Sequence, residues 1–282
     1  ALWLIAAFPV SLFYGAIYTE SLYLAGAIGG FYHFRKRELG RAAAWAFVVG
    51  LTRPNGFFIC LPLALLMFDR RSSISGVSES SRAPAEAGPS ERPSRGRPEG
   101  EYHDAGAVHH RGWLRAISPA PLAAAAMPLA GVLLYSLFIA HLTGNPLAWA
   151  AGHVAWGRHY EGLGTLVANR YDVIARVGLI GYITDQPYDF LNALGVVIVL
   201  ASVWPVTRRF GIAYSVFILI NILPPLAAGG LMSAGRFSSV LFPAFLWLAT
   251  AVPVRHRAGW MMVFAALQAF NAALFYTWRP LY

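Results

Sequence analysis

Leu12 to Leu24, LFYGAIYTESLYL, sets a polar tetrapeptide, Tyr18-Thr19-Glu20-Ser21, between two segments apolar enough to be membrane helices. An ionisable side chain at the hydrocarbon boundary costs at least a few kcal/mol unless it is partnered or faces water, which marks Glu20 as a functional candidate. The plainer alternative is a helix cap: Thr19 or Ser21, with Glu20 in the first turn of the following helix, would satisfy orphan amides and suit the helix dipole. Both readings stay open on the local sequence.

The whole composition agrees with a membrane setting. Of the 282 residues 57% are hydrophobic and only 12% charged, and the mean hydropathy is +0.52, outside the balance of a soluble domain. The single cysteine, Cys60, lies in an apolar run, which excludes a disulfide framework and a thiolate metal site. The formal charge of +9 comes from basic residues scattered through short loops beside apolar segments, a mark of membrane topology that gives no sign of a nucleic-acid partner. Beginning at Ala1 inside an apolar run without a basic flank or cleavage site, the chain reads as a fragment.

Three regions follow. Residues 1–71 hold the end of a spanning helix, Ala1 to Tyr14, bent at Pro9, a span from Glu20 to Phe34, and two short apolar segments, Ala42 to Thr52 and Gly56 to Phe68, around Arg53-Pro54-Asn55-Gly56. Short segments flanking a Pro and Gly break predict broken helices meeting at a protein-lined cavity, since irregular backbone is not tolerated against lipid. Gly26 and Gly30 predict close approach of a neighbouring helix. Residues 72–115 are rich in Ser, Pro, Gly, Glu and Arg and predict a disordered cytoplasmic linker, whose histidines match no standard metal spacing. Residues 116–282 alternate apolar spans with a long external segment from Leu142 to Tyr188, a short turn from Gly229 to Arg236, and a span from Phe237 to Val254.

Sixteen of the 22 basic residues fall in loops this scheme assigns to the cytoplasm, as the positive-inside rule requires. The other six, Arg53, Arg158, Arg170, Arg176, Arg236 and Arg279, need a different reason. On the same non-cytoplasmic face lie Glu20, Asn55, His153, His159, Glu161, Asp172 and Asp185. Arginines and carboxylates over a membrane-embedded bundle suit a lipid-linked phosphate: guanidinium groups fork onto phosphate oxygens, and a carboxylate can accept a proton. Trp149, Trp156, Tyr160 and Tyr171 offer flat faces for a sugar ring, although aromatic residues also gather at membrane interfaces for structural reasons.

Phe8-Pro9, Tyr18-Thr19-Glu20-Ser21, Arg53-Pro54-Asn55-Gly56, Trp156-Gly157-Arg158, Met232-Ser233-Ala234-Gly235-Arg236-Phe237 and Phe242-Pro243 together resemble, in order, the signature blocks of the PIG-V family of GPI mannosyltransferases and their bacterial relatives, within the GT-C class of polytopic glycosyltransferases. The third block departs from the family pattern in carrying Pro54 where serine is expected. The resemblance implies an all-α, polytopic transmembrane bundle with broken helices near the external face. It implies transfer of a hexose, typically mannose, from a polyprenyl- or dolichyl-phosphate donor to a hydroxyl of a glycolipid or glycan acceptor, without a nucleotide-sugar site; no cofactor is expected beyond the lipid-linked donor, no metal ligand is assigned, and a metal requirement stays open. It places the active face on the non-cytoplasmic side of a bacterial plasma membrane, or of the ER membrane in a eukaryote. It also implies an acidic base in a first external loop, ahead of Ala1.

Arg158 and Arg236 are the expected phosphate clamp, with Arg53 third; a salt bridge to Glu20, Asp172 or Asp185 is their structural alternative. Glu20 would orient the acceptor or support the base. Tyr18, Asn55, His153, Trp156, His159, Asp185 and Ser233 are candidate substrate contacts, with turn or capping roles as alternatives for Asn55, Asp185 and Ser233. Two rivals remain: a lipid-linked sugar flippase, expected to carry polar residues through the bundle midplane, and a non-catalytic subunit of a glycosylation complex.

Overall fold

The structure, a computed structural model, describes residues 1–69, 119–155, 160 and 162–277. The linker at 72–115 lies outside the described residues. Those described fold into helices without a strand: α1 (Leu2–Ala6), α2 (Glu20–Arg35), α3 (Leu39–Thr52), α4 (Cys60–Leu66), α5 (Pro119–Thr143), α6 (Ala148–Ala155), α7 (Gly162–Asp185), α8 (Pro187–Phe210), α9 (Ile212–Gly229), α10 (Ala234–Ser239), α11 (Phe242–Ala251) and α12 (Val254–Tyr276). Among them α5, α8 and α12 are long and apolar enough to cross a membrane.

The chain departs from its expected spans where proline breaks a helix. α1 stops at Ala6 and does not run to Tyr14, because Pro9 has no N–H to donate and crowds the preceding turn. The freed carbonyls are used: Ser11 Oγ donates to Ile5 O at 2.6 Å and to Phe8 O at 2.8 Å, and buried Asn271 Nδ2 donates to Pro9 O at 3.0 Å. The span expected from Phe237 to Val254 is divided into α10 and the ten-residue α11, with Pro243 in the first turn of the new helix. The segment from Leu142 to Tyr188, read as an external loop, contains α6 and the 24-residue α7. Leu163, Leu166, Val167, Tyr171 and Ile174 recur at helical spacing there, and the helix is broken only at Gly178, whose φ of 73° suits glycine.

Close backbone contacts hold the first half together. A Cβ on Gly50 of α3 would lie 2.0 Å from Pro128 O of α5, and one on Gly131 of α5 would lie 2.3 Å from Phe47 O, so the two helices cross where neither carries a side chain. Against α3, α2 presents Gly26 beside Val49 and Gly29 beside the Trp45 ring. Gly30, expected to share this role, has Ala46 N no nearer than 3.9 Å, so the contact runs through Gly26 and Gly29.

Two ends of the bundle result. At one, Arg35 Nη1 reaches Tyr214 Oη at 3.4 Å and Asp69 Oδ2 at 3.7 Å, Arg209 donates to Thr250, and Arg257 Nη2 donates to Ala249 O at 2.9 Å. At the other stand the first turn of α2, the end of α3 and α10. The 16 residues of α2 separate the two ends by about 24 Å.

Gly50→Ala forces a methyl group into the Pro128 carbonyl, and we expect a loss of about 1–3 kcal/mol or more, read as a lowered unfolding midpoint in detergent. In the α2–α3 turn, the Glu38 carboxyl lies below its ordinary range, chiefly because His33 Nδ1 donates to Oε2 at 2.5 Å, with Lys36 and Arg41 assisting against partial burial. The stabilisation is therefore complete above the ordinary glutamate range and is lost as pH falls through the lower folded value. His33→Ala should raise the Glu38 midpoint in a carboxyl-carbon NMR titration.

Candidate functional site

Three breaks in the helices converge on one carboxylate. Glu20 is the first residue of α2; Thr19 before it makes no side-chain capping bond, and the Glu20 carboxylate itself turns Oε1 to Arg53 and Arg236 while Oε2 makes no hydrogen bond among the described residues. Arg53 follows α3 in extended conformation (φ −164°, ψ 152°), as a residue before proline prefers. Pro54 then opens a 3₁₀ turn, Pro54–Ile59, that folds back so tightly that a Cβ on Gly56 would lie 2.3 Å from Val49 O. Arg236 sits on α10, which the chain enters through Ser233 in the left-handed region (φ 60°). The Gly235 amide anchors that helix by donating to Asn192 Oδ1 of α8 at 2.8 Å.

Arg236 Nε lies 3.0 Å and Arg53 Nη2 3.5 Å from the same oxygen, Glu20 Oε1. The Glu20 and Arg53 side chains are 3% and 10% exposed, and Arg236 20%. These are ion-pair distances without hydrogen-bond geometry: Glu20 Oε2, Arg53 Nε and Nη2, and Arg236 Nε are buried with no hydrogen-bond partner among the described residues. The cluster therefore carries two cations to one anion, and much of its hydrogen-bonding capacity is uncommitted.

Aromatic faces take up the excess charge. The Arg53 guanidinium lies 4.3 Å from the Tyr23 ring centroid and 6.0 Å from that of Phe237. Arg236 lies 4.7 Å from the Tyr18 ring and within 6 Å of Phe13 and Phe237. Such contacts contribute about 0.5–2 kcal/mol each, more when water is excluded. Tyr23 is fully buried; its hydroxyl donates to Asn221 Oδ1 at 2.7 Å, and Asn221 Nδ2 donates to Phe217 O. A polar thread thus runs from Glu20 into α9.

Of the expected site residues, Glu20, Tyr18, Arg53 and Arg236 are brought together, with Ser233 as the turn that aims Arg236. Asn55 is half-buried in the 3₁₀ turn and makes no hydrogen bond or ion pair to the cluster among the described residues. Trp156, Arg158 and His159 lie outside the described residues, and of His153 only its backbone place on α6 is described. Trp149 is tied to α5, its Nε1 donating to Ser136 Oγ at 3.1 Å. Asp185 is exposed at the end of α7 beside Thr184. Asp189, four residues on and in the first turn of α8, takes a bidentate pair from Arg170 (2.5 and 2.7 Å) and the Tyr182 hydroxyl.

Sequence reading passed over Tyr23, Asn221, Asn192 and the Arg170–Tyr182–Asp189 group. Tyr23 had a usable signal: it stands three residues after Glu20 and shares its helix face. Ser202, Ser215, Asn221, Ser238 and Asn271 are also buried. Ser202 and Ser238 donate to carbonyls of their own helices, whereas Ser215 bonds Thr207, Asn221 receives the Tyr23 hydroxyl and Asn271 donates to Pro9 O, tying separate elements together.

Comparison of the chain with protein families, curated proteins and solved structures gives no match. Its own geometry defines the class: a helical membrane protein with a buried glutamate–diarginine cluster at one end of the bundle.

Tyr23→Phe keeps the ring beneath Arg53 but removes the donor to a buried Asn221 oxygen. A loss of about 1–3 kcal/mol is expected, measured by thermal unfolding in detergent, with Asn221→Ala in the same background adding much less than it does alone.

Proposed function

We propose that this chain is a membrane glycosyltransferase of the GT-C kind, moving a hexose, mannose in the first instance, from a polyprenyl- or dolichyl-phosphate donor to a hydroxyl acceptor at the non-cytoplasmic face. The observation that carries the reading is the meeting of Arg53 and Arg236 on Glu20 from three separate helix breaks. The motif resemblance supports it, since the three residues come from three of its blocks.

In this mechanism the acceptor oxygen attacks the anomeric carbon, the bond from that carbon to the lipid phosphate breaks, and the phosphate leaves with the electron pair. The acceptor proton passes to a carboxylate base. Negative charge grows on the leaving phosphate as the bond breaks. Guanidinium groups already fixed by packing offset that charge without reorganising, which is where electrostatic catalysis gains most. Arg236 is the less buried of the two and is assigned the direct contact; Arg53, held between Tyr23 and Phe237, supports it. Tyr18 is 43% exposed beside Arg236 and offers its remaining surface to the sugar.

Arg236→Ala should lower transfer from radiolabelled polyprenyl-phosphate mannose at least about 100-fold while leaving membrane insertion intact. Arg236→Lys should recover only a small part, because an ammonium cannot fork across two phosphate oxygens. Unchanged turnover in either variant would remove the clamp from the mechanism.

A further inference from the structure

Glu20 is the one acidic side chain in the described cluster, and it is committed to both arginines through a single oxygen. Its second oxygen is buried, within a residue 2% exposed, and has no hydrogen-bond partner among the described residues. A carboxylate built only to neutralise guanidinium groups would normally fork onto one of them through both oxygens. This one stands between Arg53 and Arg236 as a single-oxygen bridge, leaving Arg53 Nε and Nη2 and Arg236 Nε without hydrogen bonds among the described residues. The guanidinium carbons lie 4.3 Å from the Tyr23 ring centroid and 4.7 Å from that of Tyr18, contacts that supply no hydrogen-bond acceptor for those N–H donors.

We propose that Glu20 is a resident placeholder anion: it holds the two arginines on one carboxylate oxygen in the absence of ligand, and an incoming phosphate group takes over Arg236 while Arg53 remains its counterion. The proposal rests on the phosphate-site reading above and adds what that reading lacks, a competitor built into the site. Glu20 is then a positioning residue and not the base. The asymmetry of the cluster assigns the parts. Arg53 is fixed between Tyr23 and Phe237 and nearly sealed, whereas Arg236 is twice as exposed and borders the half-exposed Tyr18 ring. A ligand arriving from the Tyr18 side meets Arg236 first. With Glu20 retained, the described cluster carries one net positive charge, which limits how tightly the phosphate of a departing product is kept.

The test compares the full chain with Glu20→Gln, which preserves shape and removes the competing charge, both in detergent micelles. Binding of inorganic phosphate and of farnesyl phosphate is followed by calorimetry and by the shift in unfolding midpoint. The expected result is affinity about tenfold or more higher in the variant, with a larger midpoint rise on ligand addition. The same gain for both probes identifies the bare phosphate group as the competitor, and a gain for farnesyl phosphate alone identifies a lipid-borne phosphate. Binding by the variant only also supports the placeholder. Equal or weaker binding by the variant, with the parent binding, overturns it and leaves the phosphate site intact. No binding by either protein overturns the phosphate site and the placeholder with it. If Glu20→Gln folds only with phosphate present, that rescue is itself the expected result; if it folds in neither condition, Glu20→Asp decides, tighter phosphate binding than the parent supporting the placeholder and equal or weaker binding overturning it.

Discussion

One carboxylate, that of Glu20, determines how the two halves of the described chain meet. Removing a carboxylate or a guanidinium from water is unfavourable by several kcal/mol even after relaxation, so none of these three side chains is stable in the bundle alone. Two guanidinium groups roughly 6 Å apart repel by about 3 kcal/mol at an effective dielectric near 20. Only with Glu20 between them can Arg53 and Arg236 share one end of the bundle. Residues at positions 20, 53 and 236 are thereby tied through interactions that local helix formation cannot supply.

Getting them there requires broken helices. A side chain from the middle of a continuous span points sideways into a neighbouring helix, whereas one at a break can point along the bundle axis. Pro54 and Gly56 turn the chain after α3, Ser233 in the left-handed region turns it into α10, and the 3₁₀ turn at Ser11–Tyr14 brings Phe13 and Tyr14 beneath the site. Each break leaves backbone groups unpaired, and the structure satisfies them locally: Thr52 Oγ1 bonds Val49 O, Tyr14 Oη bonds Ser239 O, and Asn192 receives the Gly235 amide. The short helices are the means by which polar side chains are concentrated at one level while the lipid-facing backbone stays paired.

The breaks were legible in the sequence because Pro, Gly and isolated charges interrupt apolar runs, and three of the polar islands so marked do meet. What could not be read was contact between elements of similar chemistry. Tyr23 looked like an ordinary aromatic residue of an apolar helix until Asn221, 198 residues away, appeared at its hydroxyl. Asp185 and Asp189 are equivalent on local grounds; which of them pairs with Arg170 depends on where α7 ends and α8 begins, and the arginine is met from the first turn of α8. Gly29 displaced Gly30 because the rotation of α2 against α3 is set by the Trp45 ring, a tertiary fact. α7 was misjudged for a different reason: its polar residues made it look like a loop, although its apolar residues keep helical period.

The two ends of the bundle both carry arginines but use them differently, and the difference argues for function at one of them. At the Arg35 and Arg257 end, guanidinium groups donate to hydroxyls and carbonyls, and Arg35 and Arg208 also lie over the Tyr214 and Trp204 rings. At the Glu20 end, the groups lie over the rings of Tyr23, Tyr18, Phe13 and Phe237, and among the described residues the buried Arg53 Nε and Nη2 and Arg236 Nε have no hydrogen-bond partner. Ring contacts are common to both ends; what differs is whether the donors are consumed. An arginine that closes a helix end spends its donors on the carbonyls and hydroxyls there. An arginine packed against rings, sheltered from water, with donors left over, is arranged to receive a planar or tetrahedral anion, and the two at positions 53 and 236 stand that way on either side of one carboxylate.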